Sequence, residues 1–238
     1  MELNKNIKNV LIDLDGTLLP MDFDVFLNGY ISAVSTTAES VGLTKELFKK
    51  GLWAGIVKMM ENDGTISNEQ AFWRAFTFVT GAQKDSAEGV LNNFYSTNFN
   101  EVKKYCGFTK NASVLVQKLK QKGYNLILAT NPVFPKIATL SRLNWAGVDS
   151  KNFTFISTYE NSSYCKPNVK YYLEILQKLN LNASECLMIG NDVLDDMVAK
   201  NANIETFLLT DCLINKNNED INNYNNGNFE DLFKFLKI

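Results

Sequence analysis

Residues 10–19 read VLIDLDGTLL, and the rest of the chain is organised around them. Val10, Leu11 and Ile12 form a short apolar run with two β-branched members, which suits a buried strand, and the Asp-Gly beyond punctuates its end. The run delivers two acids one residue apart, Asp13 and Asp15, followed at once by Gly16 and Thr17. In open α/β sheets ligands bind beyond the carboxyl ends of the strands. Two carboxylates placed there repel each other unless a divalent cation or a proton is shared between them. An Asx-turn leaving a strand would explain one Asp and the glycine, but not both acids. The stretch therefore predicts a hard-cation or acid/base site at the end of a first strand.

Composition narrows the chemistry. With 238 residues, 45% of them hydrophobic, the chain can bury one sizeable core, or a core plus a small second domain. A formal net charge of −2 offers no electrostatic footprint for nucleic acid. No apolar run approaches the roughly 20 residues of a membrane span. The start, MELNKNIKN, lacks the apolar segment of a secretory leader, and Cys106, Cys165, Cys186 and Cys212 lie far apart with no C-x-x-C pair. A cytoplasmic protein with reduced thiols is expected. The chain contains no histidine. That excludes Ser-His-Asp and Cys-His catalysis and His-ligated metals, leaving carboxylates, Lys, Tyr or Cys for proton transfer.

Between about residues 21 and 105 the apolar residues recur at helical spacing, as in Phe26, Tyr30 and Val34, or Phe48, Leu52 and Ile56. Ser67 followed by Gln70 is a capping-box pattern ahead of Phe72, Phe76 and Val79. No strand pattern interrupts this stretch, which reads as several helices packed as a small unit. Trp53, Met59, Met60 and Trp73 fall at core-like spacing and are alternatively candidates for a ligand pocket. From residue 113 the rhythm becomes α/β. A helix stops at Gly123, strands are expected at 126–129, 153–156, 187–189 and 206–209, and helices at 136–143, 169–179 and from 193. Pro167 suits the first turn of the 169–179 helix. Residues 215–228, rich in Asn, read as a solvated loop, and 229–236 as a closing helix. Such alternation implies parallel βαβ units with right-handed crossovers.

Further polar groups fall just past strands: Thr130 and Asn131, then Lys166 before Pro167, then Asn191, Asp192, Asp195 and Asp196. A parallel sheet gathers these carboxyl ends along one edge, where they can converge on Asp13 and Asp15. Asp13 and Asp192 can bind Mg²⁺, which prefers oxygen ligands. Thr130 can donate a hydrogen bond, and Lys166 can neutralise anionic charge.

These four motifs, DLDGT at 13–17, Thr130-Asn131, CKP at 165–167 and GNDVLDD at 190–196, match in order those of the haloacid dehalogenase-like hydrolases, which the chain resembles. The resemblance implies a Rossmann-like parallel sheet flanked by helices, formed by residues 1–19 and 107–238, with an inserted all-helical cap at 20–106. It implies Asp13 as a nucleophile that forms an aspartyl-phosphate and Asp15 as the general acid/base. Thr130, Asn131 and Lys166 would bind the phosphoryl group. Asp192, Asp13 and the backbone carbonyl of Asp15 would hold Mg²⁺, with Asp196 in support. Asp195 receives no defined role, and Asn191 departs from the Gly-Asp usual in the fourth motif. Dehalogenase members lack an acid two residues after the nucleophile, so Asp15 points to phosphoryl transfer. The implied activity is Mg-dependent hydrolysis of a small phosphorylated metabolite, by a monomer or homodimer. A sugar-phosphate mutase and a non-catalytic binding member are the alternatives. Arg74, the one arginine in the expected cap, could meet an anionic leaving group or be a solvated surface residue.

Overall fold

A computed structural model describes residues 3–238; Met1 and Glu2, counted above with the core, lie outside the described residues. The strands are β1 (Asn9–Ile12), β2 (Asn125–Leu128), β3 (Phe155–Ile156), β4 (Cys186–Gly190), β5 (Glu205–Leu209) and β6 (Asn225–Gly227). They form one sheet in the order β3-β2-β1-β4-β5-β6, every pairing parallel. Chain order runs outward from β1 in both directions, so the reversal lies between β1 and β4, where open α/β sheets form their ligand crevice. Ile12 pairs with Leu128 on one side and Ile189 on the other. The residues that follow each of the three central strands thus emerge side by side.

The helices are α1 (Phe23–Val34), α2 (Lys45–Met60), α3 (Asn68–Thr80), α4 (Lys84–Thr97), α5 (Lys110–Gln121), α6 (Lys136–Trp145), α7 (Val169–Leu179) and α8 (Phe229–Leu236). The period-2 alternation of the strands sorts the interior into two layers. Leu11, Ile127 and Met188 pack against Tyr171, Tyr172 and Ile175 of α7 on one face. Val10, Ile12, Leu126, Leu128, Leu187 and Ile189 join the residues of α5, α8 and the four helices inserted after β1 on the other. No helix among the described residues is long and apolar enough to cross a membrane, and all four cysteines are free.

Several elements differ from expectation. Residues 225–227, within the Asn-rich stretch, form β6 beside β5; Asn and Gly supply no apolar signal, and the edge is recruited by backbone pairing with β5, joined by an Asn225 side-chain bond to the Thr206 carbonyl. The helix expected from 193 is a 3-10 turn over Met197–Ala202, because the Asp192 carboxylate takes the N–H groups of Leu194 and Asp195 and holds the preceding residues in a turn. Pro167 precedes the α7 N-cap, Asn168, and follows a cis peptide bond from Lys166. The Ser67–Gln70 capping box is present at the start of α3, with both reciprocal bonds formed.

Candidate active site

The chain leaves β1 through a tight loop. Thr17 and Leu19 return their N–H groups to the Leu14 carbonyl, and Gly16 donates to Leu19. Gly16 takes φ +84°, and a Cβ there would come within 2.3 Å of the Asn191 side-chain nitrogen. Asn191 is clamped in turn: it accepts from Thr17 Oγ1 at 2.9 Å and donates to the Cys212 carbonyl at 2.7 Å. The residue that departs from the family pattern therefore ties the first motif to the fourth.

Lys166, 1% exposed, sits between two carboxylates, with Nζ 2.8 Å from Asp13 Oδ1 and 2.6 Å from Asp196 Oδ1. Burial alone would push this ammonium down, but the Asp13 and Asp196 charges override it and hold it well above its ordinary value. Burial pushes the Asp196 carboxyl up, against the opposing pull of Lys166. Asp196 also accepts the Asp192 N–H at 3.0 Å, and only a glycine at 190 leaves room for it: a Cβ there would lie 2.2 Å from its carboxyl.

Asp15 is bound differently. One of its oxygens accepts a hydrogen bond from Arg142 of α6, an arginine with no exposed surface whose guanidinium lies 4.3 Å from the Phe134 ring centroid. The other oxygen, Oδ1, is buried with no hydrogen-bond partner, as is Arg142 Nε. Burial raises the Asp15 carboxyl above its ordinary range, Arg142 pulls it down, and the neighbouring Asp13 charge raises it again. Arg142 escaped the sequence reading because α6 reads as an ordinary amphipathic helix. Its signal was its position: it shares a face with Ala138, Thr139 and Trp145, all buried.

The structure brings Asp13, Asp15, Thr130, Asn131, Lys166, Asp192, Asp195 and Asp196 to the wall of one cavity of about 1200 Å³. Thr130 is fixed through its backbone carbonyl, which accepts from Ser157 Oγ and the Tyr171 hydroxyl. Asn131 donates to Asp195 at 3.3 Å and keeps a buried, unpartnered Oδ1. Burial pushes the Asp195 carboxyl up to about 6. The donor set suits a hard cation. Asp13 and Asp192 each commit one carboxylate oxygen, to Lys166 and to backbone N–H groups, with no hydrogen bond on the second. No three acid, Cys or His side chains among the described residues already converge at cation spacing. Mg²⁺ does not require that, since it is held by one or two carboxylates and keeps several waters.

The expected cap residues divide. Met59 is wholly buried in the core, whereas Trp53, Met60 and Trp73 line the cavity. Arg74 is exposed and does not line it.

The sequence profile of the haloacid dehalogenase-like hydrolases matches residues 7–203. The phosphoglycolate phosphatase of Vibrio parahaemolyticus serotype O3:K6 is 24% identical over 208 residues, which span 87% of this chain and 85% of that protein. The 2-haloacid dehalogenase of Pseudomonas syringae pv. Tomato DC3000 shares the fold with a TM-score of 0.63 at 18% identity, over 97% of this chain and 98% of that one. A magnesium-bound HAD-hydrolase, YfnB of Bacillus subtilis, gives 0.57 at 19% identity, over 98% of this chain and 100% of that one. With the profile covering most of the chain and the fold shared along nearly its whole length, this protein belongs to the haloacid dehalogenase-like hydrolases.

Proposed function

We propose that the chain is a Mg²⁺-dependent phosphatase that hydrolyses a small-molecule phosphate monoester through an aspartyl-phosphate on Asp13. The observation that carries this reading is the inequality of the two acids after β1. Asp13 is hydrogen-bonded to the Lys166 ammonium, whereas Asp15, which lines the same cavity, has a raised carboxyl and one buried oxygen without a hydrogen-bond partner. Two carboxyls in unlike environments are what a nucleophile and a general acid require.

In the first displacement the free Asp13 oxygen attacks phosphorus and the bond to the leaving alcohol breaks. Asp15 delivers its proton to the departing oxygen. Asp15, now a carboxylate, then takes a proton from water; that water attacks the phosphorus and releases Asp13. Lys166, Thr130 and Asn131, which line the same cavity, would bind the phosphoryl oxygens, with Asp196 holding Lys166 from behind. Mg²⁺ bound by Asp13, Asp192 and the Asp15 carbonyl would offset the phosphoryl charge. The helical insertion would close over this site as a cap. Its two connections lie side by side, the Gly107 N–H donating to the Pro20 carbonyl at 2.7 Å and Met21 bridging to Cys106.

The test is phosphate release from p-nitrophenyl phosphate with Mg²⁺, together with acid-quench trapping of the phosphoenzyme. Asp13→Asn should abolish both. A variant that kept more than a few per cent of the wild-type rate would remove Asp13 from the role of nucleophile.

A further inference from the structure

The walls of the cavity beyond the reacting groups have a chemistry of their own. On α2, Gly51 and Gly55 lie against α3 so closely that a Cβ on Gly55 would come within 2.3 Å of the Phe72 ring, and one on Gly51 within 2.4 Å of Thr80. That close crossing fixes the rotation of α2. It turns an adjacent stripe, Leu52, Trp53, Ile56 and Met60, to the cavity. Trp53 and Met60 are 44% and 41% exposed, a large apolar surface with no protein partner to cover it. Trp73 of α3 and Leu91 of α4 extend the same wall.

Charge on these walls is equally one-sided. The only cations lining the cavity among the described residues are Lys166, already held by two carboxylates, and Lys216, exposed beyond β5 on the sheet side. The helical side contributes two acids instead, Asp22 and Asp24 at the start of α1. A carboxylate on the leaving group would find no counter-charge there and would face these acids. The volume points the same way: at about 1200 Å³ the cavity exceeds what a two-carbon leaving group can fill.

Resting on the phosphatase reading above, we propose that the leaving group of the substrate is a bulky, uncharged, largely apolar alcohol seated against Leu52, Trp53, Ile56, Met60 and Trp73. Its phosphate end meets Asp13 and Lys166, and its apolar body covers the α2 stripe. On this reading the chain departs in substrate from the phosphoglycolate phosphatases it is similar to. The identity of about one residue in four leaves room for that.

The experiment uses the wild-type protein with Mg²⁺ and a series of n-alkylphosphonates from ethyl to octyl, which bind without turnover. Binding is read from tryptophan fluorescence, since Trp53 and Trp73 both line the cavity. Affinity should rise by about fourfold per methylene until the chain fills the site, the equivalent of roughly 0.8 kcal/mol per buried CH₂. Phosphonoacetate, small and anionic, and 2-(trimethylammonio)ethylphosphonate, small and cationic, should both bind more weakly than the hexyl compound. Trp53→Lys, at an exposed position, should flatten the chain-length slope. A flat series in the wild type overturns the proposal, as does tighter binding of either small charged phosphonate. The two readings fail separately. Hydrolysis of p-nitrophenyl phosphate with a flat phosphonate series removes the apolar substrate alone. A steep series without any phosphate release keeps the apolar site and removes the catalytic reading.

Discussion

Burying an arginine beside an acid desolvates both, and such a pair is held only where geometry repays the cost. In the Asp15–Arg142 pair the guanidinium fixes one carboxyl oxygen and leaves Oδ1 without a hydrogen-bond partner, so in the proposed mechanism Arg142 would be a positioning residue for the proton donor. Arg142→Met should lower kcat on an alkyl phosphate by on the order of a hundredfold, the lower end of what a positioned general acid supplies. The loss on p-nitrophenyl phosphate, whose leaving group needs no proton, should be much smaller, and Asp15→Asn should show the same split. Equal losses on both esters would reduce Arg142 to a structural role. Removing one partner of this buried pair should also cost about 3–5 kcal/mol of stability, part of which the Asp15→Asn/Arg142→Met double variant recovers. A second residue separates site from scaffold: Asp192→Ala should raise the Mg²⁺ concentration for half-maximal activity at least tenfold, and chelation should silence the wild type. Undiminished activity in EDTA would exclude the cation. A third is Asp195, whose carboxyl is raised from 3.8 to about 6. A raised carboxyl binds its proton more tightly in the folded state, so its contribution to stability falls as pH climbs through that window. Denaturation of Asp195→Asn in metal-free buffer should show a shallower decline between pH 4 and 6 than the wild type. At this scale the sequence was legible where acids and Lys166 follow strands. At Arg142 it offered only a shared helix face, since the burial of this arginine depends on Phe134 and Asp15 arriving from other elements.

Elements were legible in proportion to their apolar periodicity. The strands β1, β2, β4 and β5 carry runs of buried aliphatics, and α3 and α8 carry caps that a short window contains. The 225–227 strand carries neither, because what makes it a strand is the exposed edge of β5. The 197–202 turn escaped because Asp192 was read as a ligand and not also as an Asx-turn acceptor; the structure shows its carboxylate in that second capacity. Glycines between elements are where local sequence and tertiary contact meet. Gly190 ends β4 against the Asp196 carboxyl, so Gly190→Ala must displace the carboxylate that supports Lys166. Overpacking of this kind costs about 1–3 kcal/mol. It should be accompanied by a loss of activity much larger than that of Ser67→Ala, which removes the α3 cap and costs about 1 kcal/mol. Urea midpoints and kcat/KM measured on both variants check the contrast. Equal activities would mean that Lys166 does not need Asp196 behind it.

At the scale of the molecule, periodicity separates a helical insertion from an α/β core but says nothing of how they share an interior. The structure joins them in one apolar cluster that runs from Ile12, Leu128 and Ile189 of the sheet through Leu14 to Phe26, Tyr30, Phe94 and Phe99. Where the insertion returns to the core, Trp145 of α6 lies 4.9 Å from the Phe99 ring centroid and donates from Nε1 to Asn100 at 2.9 Å. Tyr30 of α1 packs edge-on against Phe134 at 5.1 Å, and Phe134 in turn covers Arg142. A cluster this continuous couples the stability of the insertion to that of the sheet, because neither can unfold without exposing the apolar face of the other. We therefore expect a single cooperative transition. Trp53 and Trp73 report the insertion and Trp145 the junction, so fluorescence and far-UV circular dichroism followed in urea should give coincident midpoints. Phe99→Ala, which opens a cavity at the junction, should lower that common midpoint by the equivalent of about 3–5 kcal/mol without splitting it. Two separated transitions in the wild type would mean that the insertion folds as an independent unit and that the shared cluster contributes little to holding it on the sheet.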